Sequence, residues 1–291
     1  MQNTKGILLM IFSMAGFTIE DMLIKQMSTA LSVGQILLLL GSGASILMAV
    51  VVLASGRSLI GRKSWGGLAI CRMLAEALAA VSLTTALWLV DFATFAAVFQ
   101  ATPLVIIMGA AVFLGEEVGW RRWTAVSIGF LGVLMIIRPG LEGFDPNALF
   151  VLVTVLSITA RDLITRRMDM DIPTNVLAFQ GFAILIPAGA FILLISGAQM
   201  GPVTGQVSLW LIGAIVSGAV AYYALITSTR IAPSAVITPF RYTRLLFSLL
   251  VAVVVFRERP DILTLCGAAL ILATGLYTFF RERKLAWEAR G

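Results

Sequence analysis

Ten apolar runs, separated by short polar segments, occupy most of the 291 residues and limit the fold more than any other feature. A bilayer core of about 30 Å requires about 20 apolar residues per helix, and most of the runs reach or approach that length. The runs are residues 6–24, 33–54, 66–89, 92–114, 123–137, 148–164, 176–195, 207–228, 234–256 and 262–280. The sequence therefore predicts an all-α membrane protein with ten transmembrane helices and no room for a soluble catalytic domain.

The composition supports the same class. Hydrophobic residues make up 59% of the chain and charged residues 12%, whereas soluble domains carry about 25% charged residues. The net charge of +6 comes from basic residues between the apolar runs, where membrane topology accounts for them better than nucleic-acid binding does. Cys71 and Cys266 fall inside apolar runs and the chain has no His, so we predict no metal site and no cofactor.

An internal repeat divides the chain into two halves of five runs. Residues 18–27 align without gaps on residues 159–168, and two weaker matches, 84–87 with 222–225 and 113–116 with 255–258, follow in the same order. Five is an odd number of spans, so the second half must enter the membrane in the opposite orientation. We predict inverted repeats at residues 1–143 and 144–291 around a central cavity, an architecture typical of secondary transporters.

The distribution of basic residues predicts the orientation. With the N-terminus on one side of the membrane, the loops of that side carry thirteen Lys and Arg residues against four on the other. The positive-inside rule then places both termini in the cytoplasm. The basic tail at 281–290 fits either a short interfacial helix or a frayed end.

The stretch Phe113-Leu114-Gly115-Glu116, followed by Gly129 and Gly132, resembles the EamA-type branch of the drug/metabolite transporter superfamily, as do the two five-span halves. The resemblance covers the whole chain and is greatest to bacterial exporters of aromatic amino acids and cationic drugs. It implies a bacterial inner (plasma) membrane location and export of small metabolites. Symmetry is imperfect, because Pro103 precedes Glu116 by thirteen residues, whereas Leu245 holds that position before Glu258. Both glutamates lie at loop edges, which favours a structural role at helix ends.

Charged residues inside the apolar runs are the strongest functional markers, because ionisable groups within a bilayer are costly. Arg72 and Glu76 are four residues apart and share a helix face, with Glu76 about 15 Å deep at a rise of about 1.5 Å per residue. Arg241 and Arg244 are predicted at a similar depth. The four residues fit either a closed ion-pair network or a binding site in which Arg241 pairs a substrate carboxylate.

Aromatic and polar residues extend this predicted substrate site. Phe92, Phe95, Phe99 and Thr102 form one helical stripe, a pattern more typical of lipid-facing or packing surface than of a binding site. Tyr222, Tyr223 and Tyr242 each place a phenol inside a span, where it needs a hydrogen-bond partner. Tyr242, beside Arg241, and Trp88 are plausible contacts for an apolar or aromatic substrate body. The substrate-binding candidates are Arg241, Tyr242, Arg244, Glu76, Arg72, Phe95, Phe99, Thr238, Trp88 and Tyr222.

Four further charged residues are candidates for gating or coupling. Glu20 and Asp21 end the first run, and the repeat places Arg161 and Asp162 at the equivalent position of the second half. They fit either paired gates or ordinary helix-end charges. Proton coupling through Glu76 or Asp21 and facilitated diffusion are both compatible with the sequence. Pro103, Pro187 and Pro239 predict kinks or hinges within their spans.

We therefore expect a secondary transporter that moves small amphipathic metabolites, such as amino acids, aromatic ones among them, or organic cations, by alternating access. No Walker-type phosphate-binding loop occurs in the sequence, so ATP is not expected to drive it directly. The expected partners are a small-molecule substrate and membrane lipid, with the protein a monomer or weak homo-oligomer. The alternatives are a membrane enzyme acting on a lipid-linked substrate, or a channel or sensor.

Overall fold

The computed structural model describes residues 2–115, 119–138, 145–168, 172–232 and 237–288, and no β-strand occurs within these ranges. The helices are α1 (Gln2–Met27), α2 (Val33–Ala54), α3 (Gly67–Leu89), α4 (Phe92–Phe99), α5 (Thr102–Leu114), α6 (Trp120–Ile137), α7 (Ala148–Arg167), α8 (Thr174–Ala183), α9 (Leu185–Ser196), α10 (Gly205–Ile231), α11 (Thr243–Val254) and α12 (Ile262–Glu288). Two 3₁₀ helices, Arg62–Trp65 and Thr238–Tyr242, precede α3 and α11.

Seven segments of the described helices are long and apolar enough to cross a membrane. They are Thr4–Met27, Val33–Ala54, Gly67–Leu89, Phe92–Leu114, Ala148–Thr165, Asn175–Ser196 and Gly205–Leu225. Trp123–Ile137 and Ile262–Tyr277 are apolar but shorter, and the ninth apolar run begins with residues 234–236, which lie outside the described part. The all-helical membrane class is thus supported, while the count of ten spans and the inverted repeat stay predictions.

Prolines mark the breaks within two of these segments. Pro103 has no N–H to donate to the carbonyl of Phe99, and the hydroxyl of Thr102 donates to that carbonyl at 2.5 Å instead. The chain accordingly divides there into α4 and α5. Pro187 follows the junction of α8 and α9 at Ile184, where the same missing donor weakens the helix. The interruptions beside these two prolines agree with the predicted kinks or hinges.

The chain forms two compact units, each built from both halves of the sequence. The first unit contains Met1–Ile19, Val90–Leu149 and Val220–Gly291, and the second contains Glu20–Leu89 and Phe150–Ala219. Three of the four unit boundaries fall within α1, α7 and α10, and the fourth lies between α3 and α4. The five-span repeats predicted from the sequence are therefore divided between the units.

Each unit is centred on a pair of helices that approach through glycine. In the second unit, a Cβ atom built on Gly34 of α2 would lie 2.7 Å from the carbonyl oxygen of Gly189 in α9, and one on Gly189 would lie 2.6 Å from that of Gly34. In the first unit, Gly132 of α6 and Gly267 of α12 have the same reciprocal relation at 2.8 and 2.6 Å. The absence of side chains permits direct backbone contact, as in many membrane helix pairs.

Side chains anchor the connecting segments within each unit. In the first unit, both carboxylate oxygens of Glu258 accept hydrogen bonds from the first backbone amides of α4, those of Phe92 at 2.7 Å and Ala93 at 2.8 Å. In the second unit, the amide of Gln35 exchanges two hydrogen bonds with the backbone of Gly201 at 2.7 and 2.8 Å. The helix-end role predicted for Glu258 is thus confirmed, and the helix that it caps is α4.

Two predictions about chain segments fall partly outside the described residues. Glu116, the repeat partner of Glu258, is one of the residues that the structure does not describe. The basic tail is helical as far as Glu288, where α12 ends, and residues 289–291 lie outside the described part.

Candidate functional site

A network of four charged side chains lies within the second unit. Arg161 of α7 donates from Nη1 to Oε1 of Glu76 in α3 at 3.0 Å. Its Nε and Nη2 atoms both lie 2.9 Å from Oδ1 of the neighbouring Asp162. Arg161 thus bridges two carboxylates and links α3 to α7.

Arg72 forms the inner end of this network. Its Nε donates to the hydroxyl of Thr165 at 3.0 Å, and its Nη1 donates to the carbonyl of Leu177 in α8 at 3.2 Å. The Thr165 hydroxyl in turn donates to the carbonyl of Arg161 at 2.7 Å, which orients the acceptor lone pairs toward Arg72. The contact of Arg72 with Glu76 is longer, 3.8 Å.

The exposure of these side chains increases outward from Arg72. The exposed fraction is 7% for Arg72, 19% for Glu76, 25% for Arg161 and 33% for Asp162. Two guanidinium groups face two carboxylates, so the formal charge of the network is zero. This balance avoids an unpaired charge at a depth where such a charge is costly.

A second arrangement, in the first unit, combines a guanidinium group with aromatic rings. The guanidinium carbon of Arg244 lies 4.6 Å from the ring centroid of Phe99 and 5.3 Å from that of Phe17, within the range of cation–π attraction. The ring centroids of Phe99 and Phe95 are 5.5 Å apart, and those of Phe95 and Phe92 are 6.2 Å apart. The predicted stripe on the fourth run is thus a connected row of rings that ends at a cation.

Tyr242 is packed within the first unit. It is 5% exposed, and a Cβ atom added to Gly275 of α12 would overlap its hydroxyl group. The side-chain amide of Gln100 lies 3.5 Å from the carbonyl oxygen of Tyr242. Tyr242 therefore ties the start of α11 to α12 and to the break between α4 and α5.

The remaining predicted site residues have varied environments. Arg241 and Tyr222 are half-buried in the first unit, whereas Trp88 of the second unit is 53% exposed. The side chain of Thr238 lies outside the described part of the structure.

The first of the two predicted gating pairs, Glu20 and Asp21, also lies in the second unit. Asp21 is almost fully buried, and a Cβ atom added to Gly218 of α10 would overlap the Glu20 carboxylate. Because Gly218 has no side chain, the Glu20 carboxylate can occupy the space beside it.

Three participants were missed at the sequence level. Thr165 lies four residues after Arg161 and therefore on the same helix face, a signal that was available. Phe17 precedes the repeat motif at Thr18 and has no distinguishing pattern. The carbonyl of Leu177 contributes only through the backbone, so its residue type carries no signal.

The two halves of the chain match one and the same family description. The EamA-like transporter family matches residues 4–138 and again residues 146–280. This chain belongs to the EamA-like transporter family. The family resemblance inferred from the sequence is therefore confirmed, and this EamA-like chain is a multi-pass membrane transporter and not an enzyme.

Curated relatives of this EamA-like transporter carry two kinds of names. The "S-adenosylmethionine uptake transporter" of Rickettsia prowazekii (strain Madrid E) is 23% identical over 280 residues, which cover 96% of this chain and 94% of the relative. That of Rickettsia conorii (strain ATCC VR-613 / Malish 7) is 26% identical over 70% of this chain and 68% of its own. A "Riboflavin transporter" of Rhizobium johnstonii (strain DSM 114642 / LMG 32736 / 3841) is 30% identical over 65% and 62%, respectively.

A solved crystal structure supports the fold of this EamA-like transporter. It aligns with 97% of this chain and 99% of its own at a TM-score of 0.68 and 18% identity. At that identity the likeness concerns the fold alone. The relatives' names support transport of a small molecule, whereas they do not support the predicted export of amino acids.

Proposed function

We propose that this protein is a secondary transporter, working by alternating access, for small amphipathic metabolites whose polar end carries an ammonium group and a carboxylate. The observation that carries the proposal is the charge-balanced network of Glu76, Arg161, Arg72 and Asp162. The proposed location is the bacterial inner membrane with both termini in the cytoplasm.

The network supports a functional role because burying charged groups to join helices costs more free energy than apolar packing does. Apolar residues of similar volume often stabilise a fold as well as a buried ion pair does, and charged groups within membrane segments usually mark solute pathways. Glu76 lies in the candidate span Gly67–Leu89 and Arg161 in Ala148–Thr165. Both charges are therefore within predicted membrane helices.

The relatives named for S-adenosylmethionine uptake agree with this substrate class. S-adenosylmethionine carries the ammonium and carboxylate groups of methionine, and it is an amphipathic amino-acid derivative of the kind predicted from the sequence. The word uptake favours import, whereas the family resemblance favoured export. Comparing uptake into intact cells with efflux from preloaded cells distinguishes the two directions.

Counterflow in proteoliposomes tests the proposal. Vesicles that hold an excess of unlabelled L-phenylalanine, S-adenosylmethionine, riboflavin or tetraphenylphosphonium are given the same labelled solute outside, with protein-free vesicles as the control. We expect saturable exchange of L-phenylalanine or S-adenosylmethionine. If none of the four solutes is exchanged faster than in protein-free vesicles, the proposed function is wrong.

Energy coupling is tested with the same vesicles. If protons drive transport, an imposed pH gradient produces accumulation of substrate. D21N abolishes the accumulation while exchange persists if the buried Asp21 carries the proton, whereas E76Q abolishes it if Glu76 does. Facilitated diffusion gives exchange without accumulation.

Light scattering of the purified protein distinguishes a monomer from a weak homo-oligomer.

Arg241 of the first unit, the carboxylate contact predicted from the sequence, is tested separately as the alternative to an arginine of the second-unit network. The sequence hypothesis assigns the substrate carboxylate to Arg241, which is half-buried at the end of the 3₁₀ helix Thr238–Tyr242. R241Q is then expected to raise the KM for a carboxylate substrate about tenfold, the usual cost of one charge-assisted hydrogen bond. Unchanged transport and affinity in R241Q would remove that assignment.

A second candidate substrate class, planar ring compounds without an amino-acid group, is favoured by the contacts of Arg244 with Phe99 and Phe17. Riboflavin, named for several relatives, belongs to this class. F99L removes one ring from the row and is expected to weaken riboflavin exchange selectively. The matched control is F130L, at an exposed phenylalanine of α6 in the same unit.

A further inference from the structure

We propose that the contact between Glu76 and Arg161 is the substrate-free state of a binding site for a zwitterionic group, a role that rests on the proposed function. On binding, the substrate ammonium takes the place of the Arg161 guanidinium at the Glu76 carboxylate. The substrate carboxylate takes the place of Glu76 at Arg161. The site belongs entirely to the second unit, on α3 and α7.

Charge balance is the first support. The network holds two positive and two negative groups, and a zwitterion adds one of each. Every group therefore keeps an opposite charge as a neighbour during the exchange. A ligand with a single charge leaves one protein group without a partner, and an unpaired charge in a low-dielectric surrounding is strongly unfavourable.

The geometry separates a fixed part from an exchangeable part. Arg72 is held at 3.0 and 3.2 Å by Thr165 and the carbonyl of Leu177, and its distance to Glu76 is 3.8 Å. We therefore assign Arg72 as a positioning residue. Glu76 and Arg161 make their closest mutual contact at 3.0 Å and are the more exposed, so a solute can reach them more readily than Arg72.

Asp162 provides the means by which Arg161 can release Glu76. Oδ1 of Asp162 lies 2.9 Å from both Nε and Nη2 of Arg161, whereas Glu76 contacts only Nη1. When a substrate carboxylate replaces Glu76 as the acceptor at Nη1, Nε and Nη2 of the planar guanidinium keep their contacts with Asp162. Arg161 thus stays oriented and charge-compensated throughout the exchange.

Of the two sequence repeats, only the second carries an arginine at the position of Arg161. The residue that aligns with Arg161 in the first half is Glu20, of opposite charge, whereas Asp162 aligns with Asp21. In the second unit Glu20 lies against Gly218 of α10. The second repeat thus has an arginine where the first has a glutamate, and this arginine makes the pairing with Glu76.

Probes that differ only in their charged groups test the inference. The first set is L-phenylalanine, phenethylamine, which lacks the carboxylate, and 3-phenylpropionate, which lacks the ammonium group. The second set, with a thioether body, is L-methionine, 3-(methylthio)propylamine and 4-(methylthio)butyrate. Each compound is measured as an inhibitor of counterflow, using whichever of L-phenylalanine and S-adenosylmethionine the wild-type protein exchanges.

We expect the wild-type protein to prefer the zwitterion of at least one set over both singly charged analogues by about tenfold or more. E76Q should remove the disadvantage of the analogue that lacks the ammonium group. R161Q should remove the disadvantage of the analogue that lacks the carboxylate. R138Q, which breaks an ion pair with Asp261 outside this network, should leave the order of preference unchanged.

The outcomes distinguish this inference from the proposed function. If E76Q and R161Q exchange substrate with the wild-type order of preference, the pair is structural and the inference is wrong, although the transporter function stands. If the protein exchanges riboflavin but no zwitterion, the inference is also wrong, whereas the transporter function stands. If the wild type exchanges no solute, both proposals fail. If the single variants do not fold, E76Q/R161Q replaces them, and retention of the zwitterion preference by that double variant overturns the inference.

Discussion

The carboxylate of Glu76 accepts a hydrogen bond from Arg161 at 3.0 Å, although the two residues are 85 positions apart in the chain. The contact joins the third and sixth apolar runs, whose charges the sequence had assigned to different tasks, substrate binding for Glu76 and gating for Arg161. The structure places both in one network, because a charge within a membrane helix is stable only beside a partner.

The first prediction concerns the energy of this contact. E76Q leaves Arg161 with one carboxylate instead of two and should lower the free energy of unfolding by about 2 kcal/mol, below the range for fully buried pairs because both groups are partly exposed. E76Q/R161Q should cost less than the sum of the single changes, with a coupling of about 1 kcal/mol. Thermal unfolding in detergent followed by circular dichroism measures all three variants. Strictly additive losses would contradict a direct interaction.

The second prediction concerns the glycine contacts at the centre of each unit. G34A and G132A each place a methyl group less than 3 Å from a backbone oxygen of the facing helix, so the helices must separate. We expect each change to cost about 1–3 kcal/mol, as overpacking usually does. The matched control is G205A at the first residue of α10, where an added Cβ meets no atom within 4 Å. The prediction fails if G34A and G132A unfold at the same temperature as G205A.

The third prediction concerns the cap that Glu258 forms on α4. E258A removes the acceptor for the amides of Phe92 and Ala93 and should cost about 1 kcal/mol, as the loss of a helix N-cap does. E258Q keeps one carbonyl oxygen and should lose about half as much by the same reasoning. The melting temperatures of the two variants give the comparison. A variant E258A as stable as wild type would mean that water replaces the carboxylate without cost.

The fourth prediction concerns pH. A hydrogen bond from Arg138, together with one from the backbone amide of Thr264, lowers the pKa of Asp261 to about 2. Because the folded-state pKa lies below the unfolded value of about 4, Asp261 stabilises the fold above that pH and the contribution is lost as pH falls from about 4 to about 2. Asp261 is 49% exposed, so solvent screening limits the effect to a few tenths of a kcal/mol.

D261N tests this dependence directly. Asparagine remains a good N-cap for α12 but does not titrate and does not pair with Arg138. The melting temperatures of wild type and D261N, measured at pH 5 and at pH 2.5, should converge at the lower pH. A constant difference between the two proteins over this range would exclude Asp261 as the titrating group.

The sequence predicted the features that depend on neighbouring positions. The kinks at Pro103 and Pro187 follow from a missing backbone donor, and the proximity of Arg72 and Glu76 follows from their spacing on one helix. The helix-end role of Glu258 was inferred from its place at a loop edge, but the identity of α4 as the capped helix was not. That partner depends on how α4 and the segment after α11 pack.

The sequence by itself determined that this is an all-helical membrane transporter of the EamA-like family, because hydropathy and family motifs are read along the chain. The tertiary structure alone decided which charges neutralise one another. Arg161 meets Glu76 because side chains of α7 reach those of α3, and Arg244 meets Phe99 because α11 packs beside α4. Such pairings depend on which helix faces meet, and no spacing within a single run specifies that.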